Sequence, residues 1–342
     1  MEKKVLAFLQ KEIDLKSIPG AAIYVSYEGK KILDDSIGFR TFSPQNKPVE
    51  RNTIYDLASL TKVVATTPAI LQLIDKGEIH LQDKIRRFFP EFNHAQITIE
   101  HLMTHTSGLP AHRPYHNEKL NFSQMSERIS IEQLVHSPGN NVIYSDLGFI
   151  LLTGLIEKVA GQPFEEFTKK KIFQRLNMNE TGFNLPFEQA RFAATEYSPG
   201  IGDYKYGIVH DENAESMGGV SGHAGLFSTI QDLAKFTTMI ESGGFFNGQQ
   251  IISNASISLS KRNYTPFASE GRGLGWQIKG TSCGDLFSQS SYGHTGFTGT
   301  SIWFDPTIQL HVILLTNKVH GENQEAILRL RPCIHNLIRS HF

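Results

Sequence analysis

Strand-like runs of apolar and β-branched residues lie near both ends of the chain. Near the N-terminus they predict strands over residues 21–27 and 31–37, and the glycine turn at residues 28–30 joins them as a hairpin. Near the C-terminus they predict three more strands, over residues 291–296, 300–304 and 309–316. Strands therefore come from the two ends of the chain, and few such runs lie between them.

A helical period begins at Ser59. Five apolar residues fall on one helical face, and Lys76-Gly77 is a typical helix stop. Those five residues are Leu60, Val63, Val64, Leu71 and Ile74. Pro68 interrupts the run and should remove a backbone hydrogen bond and bend the helix, so the prediction of regular helix centres on residues 59–67.

Further helices are predicted across the middle and at the C-terminal end. They cover residues 3–16, 98–105 (capped by Thr98), 147–160 (ended by Gly161) and 323–340 (with a possible kink at Pro332). One sheet built from both chain ends with a helical insertion between them gives an α/β fold of the α+β kind. We divide the chain into a discontinuous sheet region, 1–77 and 213–342, and a mostly helical region, 78–212, that carries Tyr144.

Composition narrows the class of protein. The 342 residues are 39% hydrophobic and 20% charged, so a sizeable core can form. The net charge of -1 and the lack of a basic stripe argue against nucleic acid as a partner, and no apolar run approaches the roughly 20 residues of a membrane span.

Residues 5–9 are too short for a secretory signal, which predicts a cytoplasmic protein, or a periplasmic or extracellular one if the chain is a trimmed form. The two cysteines, Cys283 and Cys333, predict buried or idle thiols.

Ser59-Leu60-Thr61-Lys62 places a hydroxyl and an amine three residues apart, which is the same face of a helix. A serine hydroxyl becomes a good nucleophile when a base takes its proton, and a lysine can do this once its pKa is lowered. We expect burial and the positive end of the helix dipole to lower it. The same spacing recurs at Ser258 and Lys261, where no amphipathic helix follows, and we interpret that match as a surface coincidence.

Two later segments supply groups that complement this pair. Tyr144 can relay a proton, and Asp146 can face the substrate. The segment 292–297 has a strand-like pattern with small residues at selected points. There Gly296 would let a substrate backbone approach closely, Thr295 offers a hydroxyl, and the N–H of Phe297 could join that of Ser59 as an oxyanion hole.

These segments together resemble the family of class C β-lactamases, penicillin-recognising DD-peptidases, D-aminopeptidases and related esterases. Three motifs carry the resemblance, together with the segments 55–62, 101–110, 209–214 and 218–228. The motifs are Ser59-x-x-Lys62, Tyr144-x-Asp146 and His294-Thr295-Gly296. The resemblance implies that Ser59 becomes acylated, that Lys62 and Tyr144 exchange protons with it, and that the third motif lines the site. It also implies a β-lactamase/transpeptidase-like fold, an antiparallel sheet flanked by helices beside a helical region, with the site in the cleft between them.

Two residues depart from the β-lactamase pattern, and both changes weaken the case for a dedicated β-lactamase. Asp146 stands where asparagine is usual, and an ionised carboxylate cannot donate a hydrogen bond. His294 stands where lysine is usual, and a neutral imidazole attracts a substrate carboxylate less than an ammonium does. We therefore expect a metal- and cofactor-independent serine hydrolase of a small peptide, amide or ester, and a D-amino acid or peptidoglycan-derived compound is a candidate substrate.

Several alternatives stay open. The protein could be a penicillin-recognising sensor with little turnover, or a genuine class C-type β-lactamase. Asp146 could cap a helix, and His294 could be a structural strand residue. A zinc site built from His101, His105 and His210 is a weaker alternative to packing and hydrogen bonding. The glycines of segment 218–225 predict a flexible loop near the site, and segments 109–137 and 200–217 are candidate pocket walls. The oligomeric state is open.

Overall fold

The structure is a computed structural model that describes residues 1–42 and 45–342. Its helices lie mostly between the two sheet-forming ends, as the sequence predicts. They are α1 (Glu2–Asp14), α2 (Thr67–Asp75), α3 (Ile99–Met103), α4 (Phe122–Ser130), α5 (Asp146–Ala160), α6 (Phe164–Thr168), α7 (Glu212–Ser216), α8 (Ile230–Glu241), α9 (Asn254–Ser260) and α10 (Ala326–Arg339). The described residues contain no helix long and apolar enough to cross a membrane.

Eight strands form one sheet, and every neighbouring pair in it is antiparallel. They are β1 (Gly20–Tyr27), β2 (Lys30–Thr41), β3 (Lys47–Pro48), β10 (Gly271–Arg272), β11 (Gln277–Ile278), β12 (Tyr292–Thr295), β13 (Ser301–Asp305) and β14 (Leu310–Thr316), in the spatial order β10-β11-β12-β13-β14-β1-β2-β3. Short two-residue strands pair elsewhere: β4 (Tyr55–Asp56) with β7 (Phe227–Ser228), β5 (Tyr197–Ser198) with β6 (Asp203–Tyr204), and β8 (Phe245–Phe246) with β9 (Gln249–Gln250). The predicted α/β fold with a sheet built from both chain ends is confirmed.

The sheet has helices on both faces. One core cluster joins α1 and α10 to the sheet through Leu9, Ile23, Trp303, Val312 and Ile334, all buried. The other joins the opposite face to the helical middle of the chain. Its buried members include Ala22, Ile302 and Ile313 from the sheet, and Leu71, Phe149 and Phe236 from helices. The division into two regions at residues 77/78 and 212/213 stays a prediction.

The helix predicted from Ser59 is present, but its regular part lies later than expected. A 3₁₀ turn covers Ala58–Leu60, a π-helical turn covers Lys62–Thr66, and regular α-helix begins only with α2 at Thr67. The prediction that regular helix centres on residues 59–67 is therefore wrong. Pro68 lies in the first turn of α2, where its missing N–H costs least, and the π turn directly precedes it.

Candidate active site

Ser59 lies on the 3₁₀ turn that follows β4. Ala58 adopts φ +46°, which is uncommon for a residue with a side chain. The buried carboxylate of Asp56 accepts the Ala58 N–H at 2.8 Å and the His210 N–H at 2.7 Å, and Thr61 Oγ1 donates to the Ala58 carbonyl at 2.6 Å. Burial raises the pKa of Asp56 to about 6, although its two backbone hydrogen bonds oppose the rise. These contacts fix the turn that presents Ser59.

Lys62 is fully buried, and its ammonium group contacts three oxygen atoms. Its Nζ lies 3.0 Å from Ser59 Oγ, 2.7 Å from Asp146 Oδ1 and 3.0 Å from the carbonyl oxygen of His223. The predicted meeting of the serine hydroxyl and the lysine amine is present in the geometry. Burial alone would lower the pKa of Lys62, but the charges and hydrogen bonds of Asp146 and Tyr144 together outweigh burial and raise it. The expectation of a lowered pKa is therefore wrong, because the sequence argument left out Asp146.

Tyr144 completes a compact group with Ser59 and Lys62. Its hydroxyl lies within hydrogen-bonding reach of both side chains, and Lys62 Nζ lies 5.0 Å from its ring centroid. Burial raises the pKa of Tyr144, and the Lys62 charge opposes that rise. His105 packs under the ring with the two ring centroids 4.4 Å apart.

Asp146 is the first residue of α5, and its carboxylate turns toward Lys62. Ser145 holds the N-cap position of this helix, so the alternative that Asp146 serves as the cap is wrong. The hydroxyl of Ser145 donates to the Pro110 carbonyl at 2.6 Å, and this hydrogen bond holds Ser145 in place. The Asp146 side chain remains 19% exposed, and it borders the cavity beside Ser59. The carboxylate can therefore touch Lys62 and a bound molecule at the same time.

His294 lies on β12 and faces the same cavity, buried to 3% exposure. Its Nδ1 lies 2.9 Å from the Thr295 carbonyl, and its Nε2 has no partner among the described residues. Burial and the charges of Lys62 and Arg272 hold the pKa of His294 well below its usual range, so the ring is neutral at pH 7. A neutral histidine cannot provide the positive charge that a lysine would bring to this position.

Close packing of the chain around position 296 requires a glycine there. A Cβ atom there would come within 2.1 Å of Thr300 Oγ1 and 2.4 Å of the Leu57 carbonyl oxygen. The turn after β12 thus approaches the segment before Ser59 as closely as glycine allows. Two hydroxyls join them, since Thr298 Oγ1 donates to the Asp56 carbonyl at 2.8 Å and Thr300 Oγ1 to the Leu57 carbonyl at 3.1 Å.

One cavity of about 930 Å³ takes in the predicted residues. Ser59, Tyr144, Asp146 and all of His294, Thr295, Gly296 and Phe297 line it, while Lys62 lies beneath the surface. Of the predicted pocket walls, segment 109–137 contributes His112, and segment 200–217 contributes His210, Asp211 and Glu212. Most of the lining comes from outside those two segments.

Sequence reasoning missed Arg272 and Glu196. Arg272 comes from the edge strand β10, lies 5.6 Å from the Tyr144 ring centroid, and leaves its Nε without a partner in the described part of the chain. Glu196 lies 2.9 Å from Lys205 Nζ and also pairs with His210, whose ring stacks on Phe297 at 5.3 Å. No motif marks either residue, because tertiary packing brings them to the cavity.

The glycine-rich segment 218–225 lies against the site, as predicted, but it is held in place. Gly222 N–H donates to Thr153 Oγ1 at 2.7 Å, and Thr66 Oγ1 donates to the Gly222 carbonyl at 2.7 Å. The next carbonyl, that of His223, is the one that Lys62 contacts. The loop is therefore a mostly buried, hydrogen-bonded support for the lysine, and its flexibility stays a prediction.

The other candidate groups have ordinary partners. His101 Nδ1 accepts the Thr98 N–H at 3.2 Å in a capping box, and His105 Nδ1 accepts the Ser145 N–H at 3.0 Å. Across residues 1–42 and 45–342, three or more metal-binding side chains do not meet as a group.

Ser258 is exposed and Lys261 lies over the Tyr292 ring, away from the cavity. Burial raises the pKa of Cys283 to about 11, as expected for an idle thiol.

Comparison with known proteins identifies the family. Residues 7–331 match the beta-lactamase family model, and the chain belongs to that family. An Escherichia coli K12 protein named "Putative D-alanyl-D-alanine carboxypeptidase" is 33% identical over 307 residues, covering 79% of this chain and 70% of the relative. Its counterpart in Salmonella typhi is 32% identical over 306 residues, with the same coverage of both chains.

Two solved structures share the fold. The hydrolase EstCE1, which has promiscuous acyltransferase activity, superposes with a TM-score of 0.80 at 22% identity, covering 97% of this chain and 98% of that one. The octameric penicillin-binding protein homologue from Pyrococcus abyssi gives 0.75 at 23% identity, covering 95% of this chain and 75% of that one. The predicted β-lactamase/transpeptidase-like fold is confirmed, and the chain is a hydrolase of the β-lactamase and penicillin-binding type.

Proposed function

We propose that the protein hydrolyses short peptides that end in a D-residue with a free carboxylate, through an acyl-enzyme on Ser59. The observation that carries the proposal is the contact of Lys62 Nζ with Ser59 Oγ, 3.0 Å apart at the edge of a large cavity. The relatives named for D-alanyl-D-alanine carboxypeptidase activity, 32–33% identical, support the choice of peptide.

In the proposed reaction, the proton of Ser59 leaves as its oxygen attacks the substrate carbonyl. A neutral Lys62 can donate its two N–H groups to Asp146 and the His223 carbonyl and turn its lone pair to the Ser59 hydroxyl. Tyr144, within reach of both side chains, passes the proton to the departing amine. Water then attacks the acyl group by the reverse path and releases the shortened peptide.

The oxyanion of the tetrahedral intermediate would lie between the N–H groups of Ser59 and Phe297. Neither N–H donates a hydrogen bond within the described part of the chain, and both residues line the cavity. Donors that already point at the site of developing charge need no rearrangement during the reaction.

We assign recognition of the substrate carboxylate to Arg272. His294 is neutral and cannot supply a positive charge, whereas Arg272 borders the cavity with a buried, unpartnered Nε. Its nearest carboxylate oxygen, on Glu270, lies 3.9 Å away, which leaves the guanidinium free to pair with an anion.

A second candidate activity is the hydrolysis of esters with an apolar acyl group. Phe297 is 57% exposed and Leu328 is 70% exposed, and both line the cavity together with the buried Ile327. These three side chains give the cavity an apolar part of its lining, against which an aliphatic or aromatic group can lose its contact with water.

A sensor function and a dedicated β-lactamase activity are less well supported than the hydrolysis of peptides or esters. A cavity of about 930 Å³ beside Ser59 leaves room for water to reach an acyl-enzyme, which favours turnover over storage of the acyl group. Asp146 offers only acceptor atoms to the amide side chain of a penicillin while it is ionised. Penicillins are therefore expected to be poor substrates.

A substrate panel tests the proposal directly. The purified protein is mixed with a peptide ending in D-Ala-D-Ala, the same peptide with an amidated C-terminus, short p-nitrophenyl esters, and several penicillins and cephalosporins. We expect release of D-alanine from the free acid, little from the amide, and no turnover by Ser59→Ala. Efficient hydrolysis of several β-lactams, or turnover of neither peptide nor ester, would overturn it.

A further inference from the structure

Arg331 is a buried cation with unusual partners. It lies on α10 at 6% exposure and donates from Nη2 to two backbone carbonyls, that of Gly296 at 2.8 Å and that of Thr300 at 2.9 Å. Burial lowers its pKa to about 10, and no nearby carboxylate offsets that effect in the described part of the chain. At pH 7 the guanidinium is therefore charged, and it is directed at one turn of the backbone.

The Gly296 carbonyl belongs to the same peptide group as the Phe297 N–H. In a trans peptide the C=O and N–H bonds point in opposite directions, so a donor on one side leaves the N–H directed to the other. The Phe297 N–H meets no acceptor within residues 1–42 and 45–342. A charged donor on the carbonyl polarises the amide and strengthens the hydrogen bond that its N–H can make.

The opposite side of the same turn is fastened to the Ser59 segment. The hydroxyls of Thr298 and Thr300 donate to the carbonyls of Asp56 and Leu57, at 2.8 Å and 3.1 Å. The turn is thus held between α10 on one side and the segment that presents Ser59 on the other. Loss of the Arg331 contact would free one side of the turn and leave the other attached.

We propose that Arg331 is a positioning residue for the oxyanion hole, acting on the Phe297 N–H through the Gly296 carbonyl. The inference rests on the proposed Ser59 acyl-enzyme, in which that N–H stabilises the oxyanion. Arg331 holds the plane of the peptide group at a fixed angle and increases the positive charge on its hydrogen. Its effect falls on the chemical steps and leaves the binding of neutral substrate unchanged.

Three variants test this role on a neutral p-nitrophenyl ester. Arg331→Met removes the donor, Arg331→Lys keeps one charged donor, and Arg329→Gln removes a charge from the same helix at a side chain that is 74% exposed. We expect Arg331→Met to lower kcat by about 10-fold to 100-fold, less than the about 10²–10³-fold of losing a donor outright, with KM unchanged. Arg331→Lys recovers part of the loss, and Arg329→Gln matches the unaltered protein.

The infrared carbonyl band of an isotope-labelled Ser59 acyl-enzyme gives an independent readout. A polarised oxyanion hole shifts this band to lower frequency. Arg331→Met should therefore shift the band to higher frequency, and Arg331→Lys should shift it in the same direction by a smaller amount. Arg329→Gln should leave the frequency unchanged. Circular dichroism and the melting temperature establish that each variant is folded. If Arg331→Met does not fold, Arg331→Lys carries the test by its smaller shift.

Two results would overturn the inference. One is a wild-type band and a wild-type kcat in the folded Arg331 variants. The other is a rise in KM confined to anionic substrates, which would make Arg331 a direct contact of the substrate. Failure of the unaltered protein to form any acyl-enzyme on Ser59 would instead contradict the proposed function, so the two failures are distinguishable.

Discussion

Lys62 Nζ lies 2.7 Å from Asp146 Oδ1, closer than it lies to the Ser59 hydroxyl it is expected to serve. Both side chains are withdrawn from solvent, the lysine completely and the carboxylate to 19% exposure. At that separation the carboxylate stabilises the ammonium, which must lose its proton before it can act as a base. We therefore expect the residue at position 146 to set the pH at which the site becomes active.

The variant Asp146→Asn should shift the pH profile of acylation. Asp146 raises the pKa of Lys62, and its removal leaves burial as the main influence, which lowers that pKa. The acid-side limb of kcat/KM, where activity rises as Lys62 loses its proton, should therefore move to lower pH in Asp146→Asn. Stopped-flow acylation with a chromogenic ester across the pH range measures this shift.

Asp14→Asn provides the matched control, since Asp14 is exposed on α1, far from Lys62. Its profile should coincide with that of the unaltered protein. An unshifted or alkaline-shifted profile in Asp146→Asn would show that the carboxylate does not control the protonation of Lys62.

Removing the amine tests the role of Lys62 itself. Lys62→Met keeps an unbranched side chain in the buried position and abolishes proton transfer. We expect acylation to slow by about 10²–10⁴-fold, the range for loss of a positioned acid or base. The measurement is single-turnover labelling of Ser59 followed by intact mass. Near-normal labelling would assign the base to another group.

Substitution of Arg272 should raise KM for substrates that carry a carboxylate and leave KM for neutral substrates unchanged. Arg272→Met is expected to raise KM for a peptide with a free C-terminal carboxylate by about 10-fold to 100-fold, equivalent to about 1.5–3 kcal/mol for a lost charge-assisted hydrogen bond. The amidated peptide and a neutral ester should keep their KM values. Arg175→Met, at an exposed position outside the cavity, serves as the control. An equal change in KM for all three substrates would show that Arg272 does not recognise the substrate carboxylate.

Gly296 tolerates no side chain, because a Cβ would meet Thr300 Oγ1 at 2.1 Å and the Leu57 carbonyl at 2.4 Å. Gly296→Ala should push the turn away from Ser59 and cost about 10²–10³-fold in kcat, as for a lost oxyanion donor. Gly200→Ala is the control, since its Cβ would meet only Ser198 Oγ at 3.9 Å. Full activity in a folded Gly296→Ala protein would contradict the packing argument.

Stability should fall in acid because of His335. Burial lowers the pKa of His335 to about 4, while its Nδ1 lies 2.7 Å from the Ser282 carbonyl. The unfolded chain binds a proton near pH 6.5 and the folded chain near 4, so stability is lost as pH falls through that window, by up to about 3 kcal/mol. Urea unfolding at pH 7 and pH 4 should show a smaller difference in His335→Asn, which keeps a donor near the Nδ1 position. The exposed His341→Asn should retain the full difference.

The sequence predicted the sheet well because its strands have strong local signals. The hairpin of β1 and β2 and the strands β12, β13 and β14 lie within a few residues of their predicted bounds, although β2 continues to Thr41. The two-residue strands β10 and β11 escaped prediction, since so short a segment has no period to detect. Arg272 was missed with them.

The conformation around Ser59 depends on contacts that sequence patterns do not contain. The apolar period correctly indicated a helical segment, but the 3₁₀ turn and the π turn are held by groups distant in the chain, including Thr298 and the glycine-rich loop. The raised pKa of Lys62 has the same origin, because Asp146 reaches it across 84 positions of sequence. Motif spacing located the chemical groups, and tertiary packing set their protonation.

The most direct test of the account is the intact mass of the protein after brief mixing with a fluorophosphonate or a slowly turned-over chromogenic ester, followed by peptide mapping. One adduct on the peptide that contains Ser59 is predicted, together with its absence in Ser59→Ala. An adduct that persists in Ser59→Ala, or that maps to another residue, would contradict the assignment of Ser59 as the nucleophile.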